Sequence, residues 1–249
     1  MPSPVNIALT GLRNSSRRME TVAHNVANSV TPGFMAQKVR SSDIAAEGSG
    51  LGVAIEAVLH SPVPGPLMPT DRWSDLAIMG DGFFAVADEK GNIFYTRNGS
   101  FTVDGNGNLM TLNGYRVLNI SGNPVPPLPS GENFSVNSNG EIVMVSADGT
   151  ITPLGPDYTI GIARVDNEDL MVSEGGTLYS LKPDVPAPEL VQAGQGNGLT
   201  VLSGFVQMSN TDIAEEMVQG ILAKTSYEAN LKVVSASNEM TENLLDTVG

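Results

Sequence analysis

The sequence predicts an α+β protein, with N- and C-terminal helices that form a coiled-coil domain and a central, mostly antiparallel β domain. Of 27 glycines 24, and of 16 prolines 14, lie between positions 31 and 204. Since these residues destabilise a helix interior by about 1 and 3 kcal/mol, only the two ends are suited to long helices. We predict an N-terminal helical segment at 1–40, an extended connector at 41–75, the β domain at 76–204 and a C-terminal helical segment at 205–249.

A seven-residue apolar repeat predicts the first helix over residues 5–28. Three further positions follow the main repeat by three residues, which gives the a and d positions of a left-handed coiled coil. The two rows are Val5, Leu12, Met19 and Val26, and Ala8, Ser15 and Val22. Thr31-Pro32-Gly33 ends the pattern, because the residue before a proline disfavours helical geometry and glycine suits a helix C-terminus.

The second helix is predicted over residues 211–247, with N-cap candidates at 209–212. Its main apolar row follows steps of four, four and three, an eleven-residue repeat suited to a nearly straight helix. The row contains Ala214, Val218, Leu222, Thr225, Ala229, Val233, Ala236, Met240 and Leu244, and it is widened by Ile213, Met217, Ile221, Leu231 and Leu245. This helix therefore has two apolar sides, and one partner would not cover both.

Turn signals at regular intervals predict the β domain. Glycines recur every eight or nine residues, and several follow Asn or Asp, as in tight hairpins. These are Gly105, Gly114, Gly122, Gly131, Gly140 and Gly149, with strands expected at 83–86, 142–145 and 158–165 and a long loop at 183–198. Residues 104–108 also resemble the start of an EF-hand loop, but Leu109 and Tyr115 stand where that loop needs glycine and glutamate, so a hairpin turn is favoured.

Composition excludes several classes of protein. The chain of 249 residues has a formal net charge of −14, which argues against nucleic-acid binding. It has no cysteine and only two histidines, His24 and His60, so we expect no metal and no cofactor. No apolar run approaches the roughly 20 residues that a membrane span needs, and we expect no membrane insertion and no cleaved signal peptide. Residues 1–40 carry a charge of +4 and residues 209–249 a charge of −5, so attraction between the two ends is expected.

We expect no enzymatic activity. Adjacent acids at Asp88-Glu89, Glu168-Asp169 and Glu215-Glu216 are compatible with glycoside hydrolysis. However, aromatic residues make up only 5% of the chain, and a solvated acidic surface is the favoured interpretation. No P-loop, nucleophile elbow or zinc-protease motif is present.

Four blocks resemble the flagellar axial family of rod and hook proteins. They stand in family order along nearly the whole chain. The blocks are residues 10–34, which contain Asn25-Val26-Ala27-Asn28 and Thr31-Pro32-Gly33-Phe34; residues 75–84, from Asp75 to Phe84; residues 95–114, which begin Tyr95-Thr96-Arg97-Asn98-Gly99; and residues 209–230, which end Tyr227-Glu228-Ala229-Asn230. The length resembles that of rod members or of a minimal hook subunit.

The resemblance implies a structural subunit of the bacterial flagellum, located in the periplasmic rod of the basal body or in the extracellular hook. Such subunits are exported by the flagellar type III apparatus without a cleaved signal peptide. They form a homo-polymer, with adjacent rod, hook and junction proteins as further partners. Their terminal helices build an inner coiled-coil tube around the export channel, the β domains form an outer shell, and the polymer transmits torque.

We therefore predict an assembly interface on the two helices. Its residues are Val5, Leu12, Met19, Val26, Asn28, Met217, Val218, Ile221, Leu231, Met240 and Leu244. Asn25, Asn28 and Asn210 are expected to cap helices or to form hydrogen bonds between them. A β-rich surface adhesin or binding module with coiled-coil ends is the alternative function.

Overall fold

The computed structural model describes residues 3–46, 49–146, 148–165, 170–194, 196 and 198–248. The chain divides into two compact units. The helical unit comprises residues 1–29, 36–61 and 211–249, and the β unit comprises residues 30–35 and 62–210. Terminal helices around a central antiparallel β region confirm the predicted α+β class.

The helical unit contains both long helices, α1 at Pro4–Ala27 and α2 at Ile213–Val248. Helix α1 has proline in its first turn, where the missing N–H costs no hydrogen bond. Helix α2 is capped by Asp212, whose Oδ1 accepts from the backbone N–H groups of Ala214 (2.8 Å) and Glu215 (3.2 Å). The predicted helix boundaries thus agree with the structure to within two residues.

A β-hairpin occupies most of the segment expected as an extended connector. Strand β1 (Gln37–Ala46) pairs antiparallel with β2 (Ser49–His60), from Gln37 opposite His60 to Ala46 opposite Ser49. The two halves of the segment pair because extended backbone needs partners for its N–H and C=O groups. The Val53 N–H donates to Thr10 Oγ1 (3.0 Å), which holds β2 against α1.

The β unit consists of short strands and one turn of 3-10 helix at Pro156–Tyr158. The strands are β3 (Leu67–Pro69), β4 (Leu76–Met79), β5 (Phe83–Ala87), β6 (Ile93–Thr96), β7 (Phe101–Val103), β8 (Leu109–Thr111), β9 (Arg116–Val117), β10 (Asn133–Val136), β11 (Ile142–Val145), β12 (Ile151–Pro153), β13 (Ile162–Ala163), β14 (Met171–Gly175), β15 (Leu178–Leu181), β16 (Leu190–Val191), β17 (Thr200–Ser203) and β18 (Phe205–Gln207). The strand expected at 158–165 is reduced to β13, and the loop expected at 183–198 contains β16.

The largest sheet has nine strands, in the order β14-β15-β6-β5-β9-β8-β7, with β13 joining β5 to β16. Three smaller sheets are β10-β11-β12, β17-β4 and β18-β3, and each of these strand pairs within the described ranges is antiparallel. The main core lies on one side of the large sheet, where Phe84 and Phe101 meet edge to face with ring centroids 5.1 Å apart.

One turn geometry recurs along the β unit. At residues 104–108, Asp104 Oδ1 accepts from the N–H groups of Asn106 (2.9 Å) and Asn108 (2.8 Å), and Gly107 has φ +87°. The hydrogen bonds from Asn108 also hold the pKa of Asp104 below its ordinary value. The hairpin turn favoured over an EF-hand loop is therefore confirmed, but Gly107, not Gly105, takes the left-handed conformation. The same backbone pattern is found at residues 88–92, 119–123 and 137–141.

Residues from three of the four family blocks meet at one junction within the β unit, formed by Gly33, Leu76 and Asn98-Gly99. Gly33 lies so close to the Asn98 backbone that a Cβ there would overlap it, and Gly33 also has φ +68°. A Cβ on Gly99 would likewise overlap the Leu76 carbonyl oxygen, and the Leu76 N–H donates to the Gly99 carbonyl (2.9 Å). The glycines of the first and third blocks are thus needed where separate chain segments touch.

Candidate assembly surface

The side of α2 that faces α1 follows a seven-residue repeat of mostly small and polar residues. Seven residues between 213 and 243 are shielded from solvent, at steps of four and three, which is the spacing of a coiled-coil seam. They are Glu216, Gly220, Ala223, Tyr227, Asn230, Val234 and Ser237. The other residues of α2 in this range are exposed.

The two helices pack in antiparallel orientation. A Cβ on Gly11 would lie 2.6 Å from Asn230 Oδ1, so the Asn230 side chain lies directly over this glycine. Further along, a Cβ on Gly220 would lie 3.4 Å from Val22 Cγ1. Small residues at these positions allow close approach of the two backbones, and the seam therefore buries few large apolar side chains.

Asn25 joins three elements of the helical unit. Its side chain is fully buried, and its Nδ2 donates to Glu216 Oε1 on α2 and to the Gln37 carbonyl on β1, both at 2.8 Å. Its Oδ1 accepts from the Gln37 N–H at 2.8 Å. The prediction of an interhelical hydrogen bond at Asn25 is therefore confirmed.

Glu216 is a carboxylate held in this seam. Burial raises its pKa above the ordinary value; the hydrogen bond from Asn25 opposes the shift, Glu215 adds to it and Lys38 lowers it. A carboxyl whose pKa is higher in the folded state than in the unfolded state contributes stability at low pH. That contribution is lost as the pH rises through the folded pKa, so the ionised form at neutral pH disfavours folding.

Glu216→Gln is expected to stabilise the helical unit at pH 7, because glutamine keeps an acceptor for Asn25 without a buried charge. The increase in the free energy of unfolding over the unaltered chain should diminish as the pH falls through the range in which carboxyl groups become protonated. Urea unfolding followed by far-ultraviolet circular dichroism at several pH values measures it. Glu242→Gln, at an exposed acid far along the same helix, is the control and should not reproduce the gain. Equal stability of Glu216→Gln and the unaltered chain at pH 7 would contradict the prediction.

The large apolar residues of α2 point away from α1. Met217, Val218, Ile221, Leu231 and Met240, all predicted interface residues, are between 43 and 66% exposed. Ile213, Leu222 and Val233 are exposed as well. The side chain of Leu244 lies outside the described part of the structure. The eleven-residue row is thus on the outer side of α2.

The predicted apolar residues of α1 lie beside the seam. Val5, Leu12, Met19 and Val26 are half-buried. At 100° per residue, Leu12 lies about 200° around the helix from Thr10, which contacts the hairpin. Leu12 and Met19 therefore face away from β1 and β2, on a side of the helix pair that the hairpin does not cover.

The other two predicted asparagines form hydrogen bonds that do not join the two helices. Asn28 follows the last residue of α1, and its Nδ2 donates to the His24 carbonyl (2.9 Å) as a C-terminal cap. Asn210 does not cap α2; its Nδ2 donates to the Val63 carbonyl (2.6 Å) in the β unit.

The sequence-adjacent acids have separate structural surroundings. The Asp88 carboxylate accepts from backbone N–H groups in its own turn, and Glu216 lies in the helix seam. Glu168-Asp169 lies outside the described residues. Across the described ranges, no three histidine or acidic side chains are grouped so that they could hold a metal ion. None of the helices in those ranges is long and apolar enough to cross a lipid bilayer.

Antiparallel terminal helices with heptad spacing and a separate β unit make this an α+β protein with coiled-coil ends. Two family models match it: "Flagellar hook protein FlgE/F/G D1 domain" at residues 77–153 and "Flagellar basal body rod FlgEFG protein C-terminal" at residues 202–247. These matches cover the middle of the β unit and helix α2.

Whole-chain relatives agree with these matches. The flagellar basal-body rod protein FlgG of Bacillus subtilis is 30% identical over 96% of both chains. FlgG of Buchnera aphidicola subsp. Baizongia pistaciae is 33% identical, again over 96% of both chains. The rod protein FlgF of Rhizobium meliloti is 28% identical over 100% of this chain and 99% of its own. The chain belongs to the flagellar rod and hook protein family, which is a family of structural proteins and not of enzymes.

Proposed function

We propose that this chain is a structural subunit of the flagellar basal-body rod that polymerises helically through its terminal helices. The observation that carries the proposal is the outer surface of α2, where Met217, Ile221 and Met240 are each more than 60% exposed. A helix with this much exposed apolar surface favours further helical contacts, because burying each such side chain contributes about 1.5–3 kcal/mol. Contacts between different surfaces of identical subunits produce an open helical polymer when the rotation between neighbours does not close a ring.

Family membership supports the remaining parts of the proposal. The helices form a tube around the export channel, the β units lie outside it, and the polymer transmits torque. Its neighbours are other axial proteins of the rod, hook and junction, and the flagellar export apparatus delivers the subunit without removal of a signal peptide. The names of the relatives place those proteins in the flagellar basal body.

Sedimentation velocity over a concentration series tests the proposal. The unaltered chain should form large, open-ended species, whereas Met217→Asp/Ile221→Asp should remain monomeric. Two buried carboxylates in place of apolar contacts weaken association by about a thousandfold. Leu12→Asp, on α1, should have the same effect.

Leu112→Asp is the matched control, because Leu112 is 74% exposed in the β unit and is not part of either helix. It should polymerise normally. Circular dichroism should show an unchanged helix content in all the variants. A small closed oligomer that all the variants share would contradict the proposal and would favour a binding module with coiled-coil ends.

A further inference from the structure

The end of α2 extends beyond the first residue of α1. Gly11 lies beside Asn230 and Asn25 beside Glu216, so residues at the same level of the antiparallel pair have numbers that add up to about 241. Pro4 is therefore level with Ser237, and residues 238–248 extend past it by about 16 Å at 1.5 Å per residue. The described side chains of this segment, 238–243 and 246, are exposed.

This terminal segment combines an apolar residue with unpaired acids. Met240 is 66% exposed. Glu239, Glu242 and Asp246 have no ion-pair partner in the described part of the chain. Asp246 also lies in the last turn of α2, where the helix dipole is negative and no basic residue is present. A cationic neighbour would relieve this repulsion.

Helix α1 carries a surface of complementary character. Leu9 is 42% exposed, and Arg13 lies one turn further along the same side. Within the residues that the structure describes, the exposed Arg13 guanidinium has no ion-pair partner, whereas Arg17 pairs with Glu20 at 3.0 Å. Glu20 is the one acidic residue among positions 1–40. An exposed leucine beside an unpaired cation matches the exposed methionine beside unpaired acids.

We propose that residues 238–248 of one copy pack against α1 of a second copy, with Met240 against Leu9 and Glu239 beside Arg13. One copy cannot make this contact with itself. Met240 is level with position 1, about 12 Å along the axis from Leu9, and Leu9 lies about 140° around α1 from the residues that face α2. The inference rests on the proposed polymerisation and specifies one of its contacts.

Disulfide trapping tests the contact, because the chain has no cysteine of its own. Leu9→Cys/Met240→Cys should give a ladder of covalently linked chains after oxidation of the assembled protein. The pair cannot close within one copy, since a disulfide requires Cα atoms about 4.4–6.8 Å apart. Leu112→Cys/Met240→Cys carries the same number of exposed thiols and should remain a single band.

Charge reversal provides an independent test. Arg13→Glu should raise the critical concentration for polymerisation about two- to fivefold. Arg13→Glu/Glu239→Arg should restore the critical concentration of the unaltered chain. In this variant the two positions again carry opposite charges. Lys90→Glu, which makes the same charge change in the β unit, should have no effect.

The outcomes separate this contact from the proposed function. Polymers without a ladder, or without restoration in the double reversal, would overturn the contact and leave the rod proposal intact. An unaltered chain that remains monomeric at every concentration would overturn both.

Discussion

Asn25→Ala is expected to lower the free energy of unfolding of the helical unit by about 2–4 kcal/mol. The substitution removes three hydrogen bonds at once and leaves the buried Glu216 carboxylate and the Gln37 backbone without these partners. A buried charge without its donor is especially costly. Urea unfolding followed by far-ultraviolet circular dichroism measures the effect, since both long helices belong to this unit.

Two further substitutions separate this role from helix propensity. Asn6→Ala changes an exposed position of the same helix and should stabilise slightly, because alanine is the better helix former. Asn25→Asp keeps the size of the side chain but places a second carboxylate beside Glu216, so its loss of stability should be larger at pH 7 than at pH 4. An Asn25→Ala protein as stable as the Asn6→Ala protein would contradict the prediction.

Gly99→Ala is expected to destabilise the β unit by more than about 3 kcal/mol or to prevent it from folding. The new Cβ would overlap the Leu76 carbonyl oxygen, which belongs to a strand of the core and cannot move aside. Relieving the overlap would also lengthen the hydrogen bond from Leu76 N–H to Gly99. Fluorescence of Trp73, the single tryptophan, reports the unfolding of this unit.

Gly105→Ala is the matched control for Gly99→Ala. A Cβ on Gly105 has open space around it, and its φ lies outside the left-handed region, so alanine should be neutral or stabilise by up to about 1 kcal/mol. Gly33→Ala, at the other close approach of the same junction, should instead destabilise as Gly99→Ala does. Similar stabilities for the Gly99 and Gly105 variants would show that the junction tolerates a side chain.

The composition of the helix seam bears on how the subunit works. Gly11, Ser15, Gly220 and Ala223 fill the contact between α1 and α2 with little apolar volume. The large residues of α2 remain outside. The helix pair is therefore held within one copy by backbone approach and by the Asn25 hydrogen bonds, and its main apolar surface stays available for other copies, as the proposed function requires.

Some features could be predicted because they depend on local patterns. Breaker residues define where helices are possible, and the apolar repeats place α1 and α2 to within two residues. Asn-Gly and Asp-Gly pairs identify the turns at Gly114, Gly140 and Gly149, because a positive φ is a local requirement. At residues 104–108 the pattern offers two glycines, and the hydrogen bonds of Asp104 select Gly107.

The partner of each helix face could not be predicted in this way. An apolar repeat shows which side of α2 is hydrophobic, but the α1-facing seam is built mostly from glycine, alanine and polar residues, which such a repeat does not detect. The alternating three- and four-residue spacing of Gly220, Ala223 and Tyr227 was the available signal. The hairpin formed by residues 37–60 could not be predicted from local patterns either, because strand pairing depends on contacts between positions that are distant in the sequence.

The sequence by itself determined the α+β class, the two terminal helices, the turn-rich β region and the family resemblance, because these follow from local propensity and from motif residues in order. Only the tertiary structure decided that Asn25 joins three elements, that Glu216 is buried with a raised pKa, and that the apolar rows of α2 face outward. Burial and hydrogen bonding arise between residues as far apart as Asn25 and Glu216, and no local pattern encodes which distant residues meet.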